Sequence, residues 1–221
     1  MASNQIASFY PGAMSEARNI ELLPVSQRLG GTDLVLVGPN DPQAMLRHTQ
    51  ECRDRGIAFA ADPSQQLAFL DGDAIRPLIE GASYLFTNEY EAALTEQKTG
   101  WSAADVLERV ECRVTTLGAK GARVERSGQP AVHVDVPKER GKADPTGVGD
   151  AFRAGFISGL HWGLGDERCA QIGSMLATYV IETIGTQEYT FTPEDFLERF
   201  TEAYGVQAAS ELSPHLQSTL V

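Results

Sequence analysis

No stretch of this 221-residue sequence stays apolar for the ~20 residues that a membrane-spanning helix requires. Basic residues are scarce as well, because 18 lysines and arginines stand against 30 aspartates and glutamates and give a formal net charge of -12. Proteins that bind nucleic acid usually carry a basic face, so this balance argues against a nucleic-acid partner. It is compatible with a small anionic ligand held by backbone amides. We therefore expect neither a membrane nor a nucleic acid among the partners.

Cysteine is rare too, with three residues and no Cys-x-x-Cys pair. This usage suggests neither a disulfide framework nor a zinc site, and the four histidines show no metal-ligand spacing. Residues 1–5 lack the basic and apolar regions of a signal peptide. Together these features predict a reducing, cytoplasmic location. The sequence also has no Gly-x-x-x-x-Gly-Lys-Ser/Thr phosphate loop and no evident serine or cysteine nucleophile for its histidines to activate.

The sequence does contain short β-branched runs that alternate with helical patterns. The runs predict buried strands at 33–38, 57–62, 84–87 and 113–117, followed by a hairpin of 122–126 and 131–136. Helices are predicted at 42–55, 73–80 and 88–98, and another short helix begins at 102. A further helix ends at about 162, and two more are predicted at 166–184 and at 192–204. This alternation predicts an α/β fold, doubly wound, with a mostly parallel sheet and helices on both faces. The segment 205–221 is predicted to be a weak helix or a frayed tail.

Polar and glycine-rich clusters follow three of the predicted strands. They occupy residues 62–66, 88–91 and 118–121. Ligands of open α/β sheets bind outside the carboxyl ends of the strands. We therefore expect these clusters to converge on one crevice.

The run from Asp144 to Phe156 carries the strongest chemical signal. Gly147, Val148 and Gly149 form a glycine turn, and Asp150 follows at the start of a helical pattern. Amides of such a turn form an anion site that the helix N-terminus reinforces. A carboxylate beside bound phosphate would be repulsive unless it accepts a proton from an attacking hydroxyl. The alternative is a plain turn with Asp150 as the helix N-cap.

Asn88 and Glu91 are three residues apart at the start of a predicted helix and therefore share one face. An amide and a carboxylate can orient Mg²⁺ through its water molecules. The alternative is an asparagine cap with a glutamate in the first turn, where a negative charge is favourable.

The segment from Thr116 to Gly121 has two glycines, Gly118 and Gly121, which let the backbone approach a nucleotide. Its alternative is a simple turn between strands, with Lys120 exposed. Arg153 follows Asp150 by three residues, and it could face a phosphate or pair with an acidic neighbour.

These motifs, in this order, resemble those of the ribokinase-like (PfkB) sugar and nucleoside kinases; Pro145 and Val148 are small departures from the second family signature. The resemblance implies a ribokinase-like fold in which the 147–149 amides form an anion hole and Asp150 is the catalytic base. It implies that Asn88 and Glu91 serve Mg²⁺ and phosphate. It also implies that Thr116, Gly118, Lys120 and Gly121 bind ATP, with a monovalent cation as an open third cofactor.

Residues 6–14, 62–66 and 149–156 are similar to the actinobacterial adenosine kinases of this family. By that similarity Phe9 would line a nucleoside pocket, and Gln65 and Gln66 would lie near the ligands. The expected reaction is transfer of the γ-phosphate of ATP to a hydroxymethyl group of adenosine. Two alternatives remain open: a sugar acceptor such as ribose or fructose, and a non-catalytic fragment that binds nucleotide.

The resemblance extends from residue 6 to about residue 204. It implies that 1–205 is the C-terminal part of a PfkB kinase domain, with 1–15 as a remnant of its lid and acceptor region, and that 206–221 is a tail. Family members have a preceding region that supplies the first strands, most of the lid, a Gly-Gly motif and an acceptor-binding aspartate. We therefore expect a truncated chain with an open acceptor half. A homodimer is expected only if the lid were complete.

Overall fold

The computed structural model describes residues 10–217, which fall into two compact units. The first unit comprises the described part of Met1–Leu85 together with Tyr90–Glu111, and the second comprises Phe86–Glu89 with the described residues from Cys112 onward. No helix within residues 10–217 is both long and apolar enough to cross a membrane.

The first unit alternates strands with helices. Strand β1 (Val35–Val37) pairs in parallel with β2 (Phe59–Ala61), and β2 pairs in parallel with the start of β3 (Tyr84–Asn88). The helices of this part of the chain are α1 (Leu22–Leu29), α2 (Pro42–Arg55), α3 (Gly72–Ile79), α4 (Glu89–Thr99) and α5 (Ala103–Arg109), with 3₁₀ turns at Gly12–Asn19 and Ser64–Ala68. The three strands predicted here and their parallel arrangement are confirmed.

Helix α2 begins and ends at the residues that the sequence predicts. The Asp41 carboxylate accepts a hydrogen bond of 3.0 Å from the Ala44 amide, and Pro42 occupies the first turn, where its missing N–H costs nothing. Gly56 closes the helix with φ +66°. Arg18 also pairs with Asp41. Burial would raise the pKa of Asp41, but the Arg18 and Ala44 hydrogen bonds hold it below its usual value.

Helix α1 was not predicted. Its first amides, those of Leu22 and Leu23, donate hydrogen bonds of 3.0 and 3.1 Å to the Glu51 carboxylate on α2. This cap is supplied by a residue almost 30 positions away, so no local pattern announces the helix start.

The core of the first unit lies where the strands meet the helices, and it is built almost wholly from aliphatic side chains and one phenylalanine. Its members are Val37, Met45, Cys52, Phe59, Ala61, Leu67, Ile75, Leu78, Ile79, Ala82, Leu85, Val106 and Val110.

The second unit contains the end of β3 and three antiparallel strands. Strand β4 (Arg113–Thr116) pairs with β5 (Ala122–Glu125), which pairs with β6 (Val132–Val134). The predicted hairpin is therefore confirmed. Three helices complete the unit: α6 (Val148–His161), α7 (Asp166–Ile181) and α8 (Pro193–Gln217).

Helices α6 and α7 approach each other closely because glycines face each other at their contact. A Cβ atom at Gly155 would lie 2.8 Å from the Gly173 Cα, and one at Gly173 would lie 2.6 Å from the Phe152 carbonyl oxygen. Both distances are too short for any side chain, so this contact sets the position of α6 against α7.

Helix α8 is kinked at Gly205, which has the non-helical angles φ 88° and ψ 166°. Beyond the kink, residues 206–217 form a helix. This helix buries Ala208, Ala209 and Leu212 in the core of the second unit, which also contains Ile172 and Met175 of α7. The helical alternative for this segment is thus the one observed. The division of the domain at residue 205 stays a prediction.

Replacement of Leu212 should show how firmly residues 206–217 are attached. The side chain is fully buried, so Leu212→Ala should lower the free energy of unfolding by about 2–5 kcal/mol, as expected when a buried leucine is truncated. Val206, which is 75% exposed on the same helical segment, provides the control, and Val206→Ala should change it by less than about 0.5 kcal/mol. Urea unfolding measures both values; equal effects would show that the segment is not packed.

Candidate active site

Helix α6 starts from a left-handed residue. Its N-cap is Gly147, with φ 83° and ψ −3°. The turn before it is held by the Asp144 carboxylate, which accepts hydrogen bonds from the Thr146 amide at 2.9 Å and from the Gly185 amide at 3.4 Å. Hydrogen bonds from the Thr146 side chain and backbone lower the pKa of Asp144 below its usual value. This carboxylate therefore connects the glycine turn with the segment that follows α7.

Gly147 is required for space as well as for conformation. A Cβ atom there would lie 3.0 Å from Cβ and Cγ2 of Thr186. The segment before the turn also contacts the end of α7, because the Ala143 amide donates a 2.7 Å hydrogen bond to the Ile181 carbonyl. The turn is thus packed on one side against residues 181–186.

Asp150 is the third residue of α6, and its side chain is 79% exposed. The alternative in which Asp150 is the N-cap is wrong, because the N-cap of the helix is Gly147, three residues earlier. The first amides of a helix have no intrahelical acceptor, and here they belong to Val148, Gly149 and Asp150. The predicted glycine turn is therefore present, with the exposed Asp150 carboxylate in the first turn of the helix, and its role in binding an anion stays a prediction.

Arg153 pairs with Asp150 from one turn further along the helix. The sequence left two partners open for this arginine, and in the structure it contacts its acidic neighbour. The arginine side chain is only 16% exposed, although the carboxylate that it contacts faces solvent.

The predicted nucleotide loop connects β4 to β5. Thr116 pairs with Ala122, and the residues between them form a 3₁₀ turn in which Gly118 has φ 58° and Gly121 has φ 87°. Lys120 is exposed. The loop is thus the strand-to-strand turn of the alternative interpretation. A Cβ atom at Gly121 would lie 1.9 Å from the Val134 carbonyl oxygen, so packing against β6 accounts for this glycine, and nucleotide binding by the loop stays a prediction.

Asn88 is the last residue of β3, and Glu91 lies in the first turn of α4. The Glu91 carboxylate is 3.5 Å from the Ser64 hydroxyl, which also donates a 2.9 Å hydrogen bond to the side-chain oxygen of Gln65. The structure therefore brings Gln65 and Glu91, predicted for different roles, to one hydroxyl group. Gln66 points elsewhere, since its amide donates to the Asn40 carbonyl at 2.9 Å.

Some residues at these places were not predicted to act in the site. Ser64 has φ 44°, an unusual value for a residue other than glycine, and such strain gathers at functional sites. No sequence signal reveals it. The role of Asp144 could have been found, because an aspartate followed by proline and, two residues later, glycine is a common turn pattern. Phe9 lies outside the described residues, so its role stays a prediction.

A buried ion pair supports the segment on which the glycine turn rests. Arg199 of α8 donates hydrogen bonds of 2.8 and 3.0 Å to the Glu182 carboxylate. The same carboxylate accepts a hydrogen bond of 2.7 Å from the Arg140 amide. The Arg199 guanidinium lies 4.5 Å from the centre of the Tyr179 ring. Beside this pair is a cleft of about 380 Å³, and none of the predicted site residues lines it.

The sequence matches the model of the pfkB family of carbohydrate kinases over residues 2–193. The chain belongs to this family. A structure of the Burkholderia thailandensis nucleoside kinase in complex with ADP-inosine superposes with a TM-score of 0.85 and 33% identity, covering 92% of this chain and 62% of that one. The predicted ribokinase-like fold and family are thereby confirmed. The finer assignment to actinobacterial adenosine kinases stays a prediction.

Two curated relatives differ in the acceptor that their names state. The nucleoside kinase of Methanocaldococcus jannaschii is 29% identical over 89% of this chain and 63% of its own length. An inositol 3-kinase of Oryza sativa is 27% identical over 78% of this chain and 43% of its own length. The chain therefore spans less than two thirds of the length of these relatives.

The side chains present suit the groups that such a kinase needs. Asn88 and Glu91 offer oxygen donors, and residues 10–217 contain no group of three or more carboxylate, histidine or cysteine side chains that could hold a metal ion by themselves. Mg²⁺ commonly uses one or two carboxylates together with the phosphates of its substrate, so the Glu91 carboxylate is a donor of the kind that it takes, and magnesium binding here stays a prediction. The amides at the start of α6 fit a phosphate.

Gly147→Ala should measure the cost of the turn. The left-handed conformation alone costs an L-residue about 1–2 kcal/mol, and the Cβ contact with Thr186 adds to that cost. Gly163 has a similar φ of 72° with nothing within 4 Å of its Cβ position, so Gly163→Ala measures the conformational cost alone. Measured by urea unfolding, Gly147→Ala should lower the free energy of unfolding by more than Gly163→Ala does. Equal losses would mean that Thr186 does not support the turn.

Glu182 should make stability depend on pH. Burial raises the pKa of this carboxyl, but hydrogen bonds from Arg199 and the Arg140 amide outweigh it and bring the pKa below the usual 4.5. A lowered folded-state pKa contributes stability that is present above the unfolded value and is lost as pH falls through the folded one. We therefore expect the free energy of unfolding, measured with urea, to fall less between about pH 5 and pH 2 in Glu182→Gln than in the wild-type protein. Parallel pH curves for the two proteins would contradict this assignment.

Proposed function

We propose that this chain is the phosphoryl-transferring part of an ATP-dependent nucleoside kinase, with adenosine as the acceptor. The observation that carries this proposal is the exposed Asp150 carboxylate beside the first amides of α6, in a member of a kinase family. A site built for an anion has little use for a carboxylate unless that group removes a proton from the attacking hydroxyl.

In the proposed reaction, a hydroxymethyl oxygen of the acceptor attacks the γ-phosphorus of ATP, and ADP leaves. Asp150 takes the hydroxyl proton as the new O–P bond forms. The amides of Gly147, Val148 and Gly149, joined by that of Asp150, donate to the oxygens of the transferred group, where negative charge is concentrated. The left-handed N-cap at Gly147 aims these donors before the substrate arrives, so little reorganisation is needed during the reaction.

The other predicted residues bind the donor and the acceptor. Thr116, Gly118, Lys120 and Gly121 contact the nucleotide, and Gln65 and Gln66 lie near the acceptor together with Phe9. Asn88 and Glu91 would hold Mg²⁺ through its water molecules, and the ion would neutralise charge on the phosphates. A monovalent cation stays open as a third cofactor. We also keep the expectations of a cytoplasmic location, and of a homodimer only where a complete lid is present.

The acceptor class rests on the named relatives. The Burkholderia and Methanocaldococcus proteins are named nucleoside kinases, which supports a nucleoside. The relative named inositol 3-kinase takes a different acceptor, so a sugar such as ribose or fructose stays the second candidate. Because the chain spans less than two thirds of these relatives, a fragment that binds nucleotide without turnover is the remaining alternative.

Asp150→Asn should lower kcat by orders of magnitude and leave the affinity for ATP-Mg²⁺ unchanged, because the variant keeps the amides and removes only the base. Labelled ATP and a panel of adenosine, inosine, cytidine, ribose, fructose and inositol measure turnover, and thermal shift measures ATP binding. A near-normal rate for the variant would refute the role of Asp150. A preference for a sugar would refute the nucleoside assignment, and ATP binding without turnover of any acceptor would favour the fragment.

A further inference from the structure

Gly149 is a glycine for a different reason from Gly147. It lies inside α6 with an ordinary helical backbone, so its conformation does not require glycine. A Cβ atom at this position would instead lie 3.3 Å from Nη1 of Arg153, tighter than an ordinary contact. A side chain at residue 149 would therefore press on the end of the arginine, which would have to move by a few tenths of an ångström to admit a methyl group.

The same guanidinium holds Asp150 through its other amino group, since Nη2 contacts Oδ1 of the carboxylate. An ion pair three residues apart on a helix is usually a weak surface feature. This one is asymmetric, because the arginine side chain is 16% exposed and the aspartate 79% exposed. The cation is held against the helix start, and it anchors a carboxylate that would otherwise move freely in solvent.

We propose that Arg153 is the positioning residue of the catalytic base, and that Gly149 leaves the guanidinium undisturbed in this position. This inference rests on the proposed function of Asp150. Arg153 stays protonated throughout the reaction; it fixes one carboxylate rotamer at the anion-binding turn, and the acceptor proton goes to Asp150. Misplacing a reacting group by a fraction of an ångström is enough to slow a reaction that depends on alignment.

The chain offers a matched control for a purely structural role. Arg76 pairs with Asp73 at the same spacing on helix α3, at 2.6 Å, with exposures of 39% and 91%. If Arg153 only stabilised its helix, the Arg153→Ala and Arg76→Ala variants would differ from each other in melting temperature and not in kcat.

Kinetics in the full chain provide the first test. We expect Arg153→Ala to lower kcat about tenfold or more while KM for ATP changes less than about twofold, with partial rescue by added guanidinium and by Arg153→Lys. Arg76→Ala should keep the wild-type kcat, with or without guanidinium. An unchanged kcat in Arg153→Ala would overturn the proposal. A raised KM for ATP at unchanged kcat would overturn it too, because it would make Arg153 a phosphate-binding residue.

Gly149→Ala supplies the second test. Alanine favours a helix more than glycine does, so the melting temperature should stay the same or rise, while kcat falls several-fold because the guanidinium is displaced. A variant that is both more stable and fully active would overturn the account of Gly149.

A readout without turnover separates this inference from the proposed function. In ¹⁵N NMR spectra, the two Nη signals of Arg153 should be distinct in wild type, because the ion pair slows rotation of the guanidinium, and should merge in Asp150→Asn. If wild type phosphorylates none of the acceptors, the proposed function fails, and the NMR result still decides the pairing. Merged Arg153 signals in wild type would overturn the positioning role.

Discussion

Gly147 lets the backbone turn from the segment that ends at Asp144 into helix α6 within a few residues. A positive φ of 83° is needed for this turn, and the neighbouring Thr186 leaves no room for a side chain. The direction of the first α6 amides, and the position of Asp150 beside them, both follow from where this residue starts the helix. If the turn moved, the first α6 amides and the carboxylate would move together, because both belong to the same first helical turn.

The turn is held in place by packing that contains no catalytic group. The close glycine contact between α6 and α7 sets the helix position, and Asp144 ties the turn to Gly185 beyond the end of α7. That same segment is anchored by the Glu182–Arg199 pair, in which the arginine is buried and the glutamate nearly so, and which connects α7 to α8. Removing one partner would leave the other charge poorly compensated. The position of the turn is therefore set by the helices behind it.

The elements that the sequence predicts well are those with local signals. Helix α2 has its cap, its proline and its terminal glycine within its own sequence, and both predicted ends agree with the structure. Helix α1 was missed because its cap is the carboxylate of Glu51, which reaches it only after folding. In the site, the residues of the glycine turn were found from their pattern. The N-cap of α6, however, is Gly147, three residues before the aspartate that one interpretation made the cap. The proximity of Gln65 and Glu91 through Ser64 was not predicted, because it joins segments about 27 residues apart.

The sequence by itself determined the alternation of strands and helices and the residue types of the glycine turn, because these depend on composition and short-range spacing; its motifs resembled those of the family that the comparison then showed. Only the tertiary structure decided how the two glycines of that turn differ. Gly147 is required by its backbone angle and by Thr186, which reaches it from beyond α7, whereas Gly149 has an ordinary helical backbone and lies against the guanidinium of Arg153. In the sequence the two positions look alike, because a contact made across the fold leaves no mark on the local pattern.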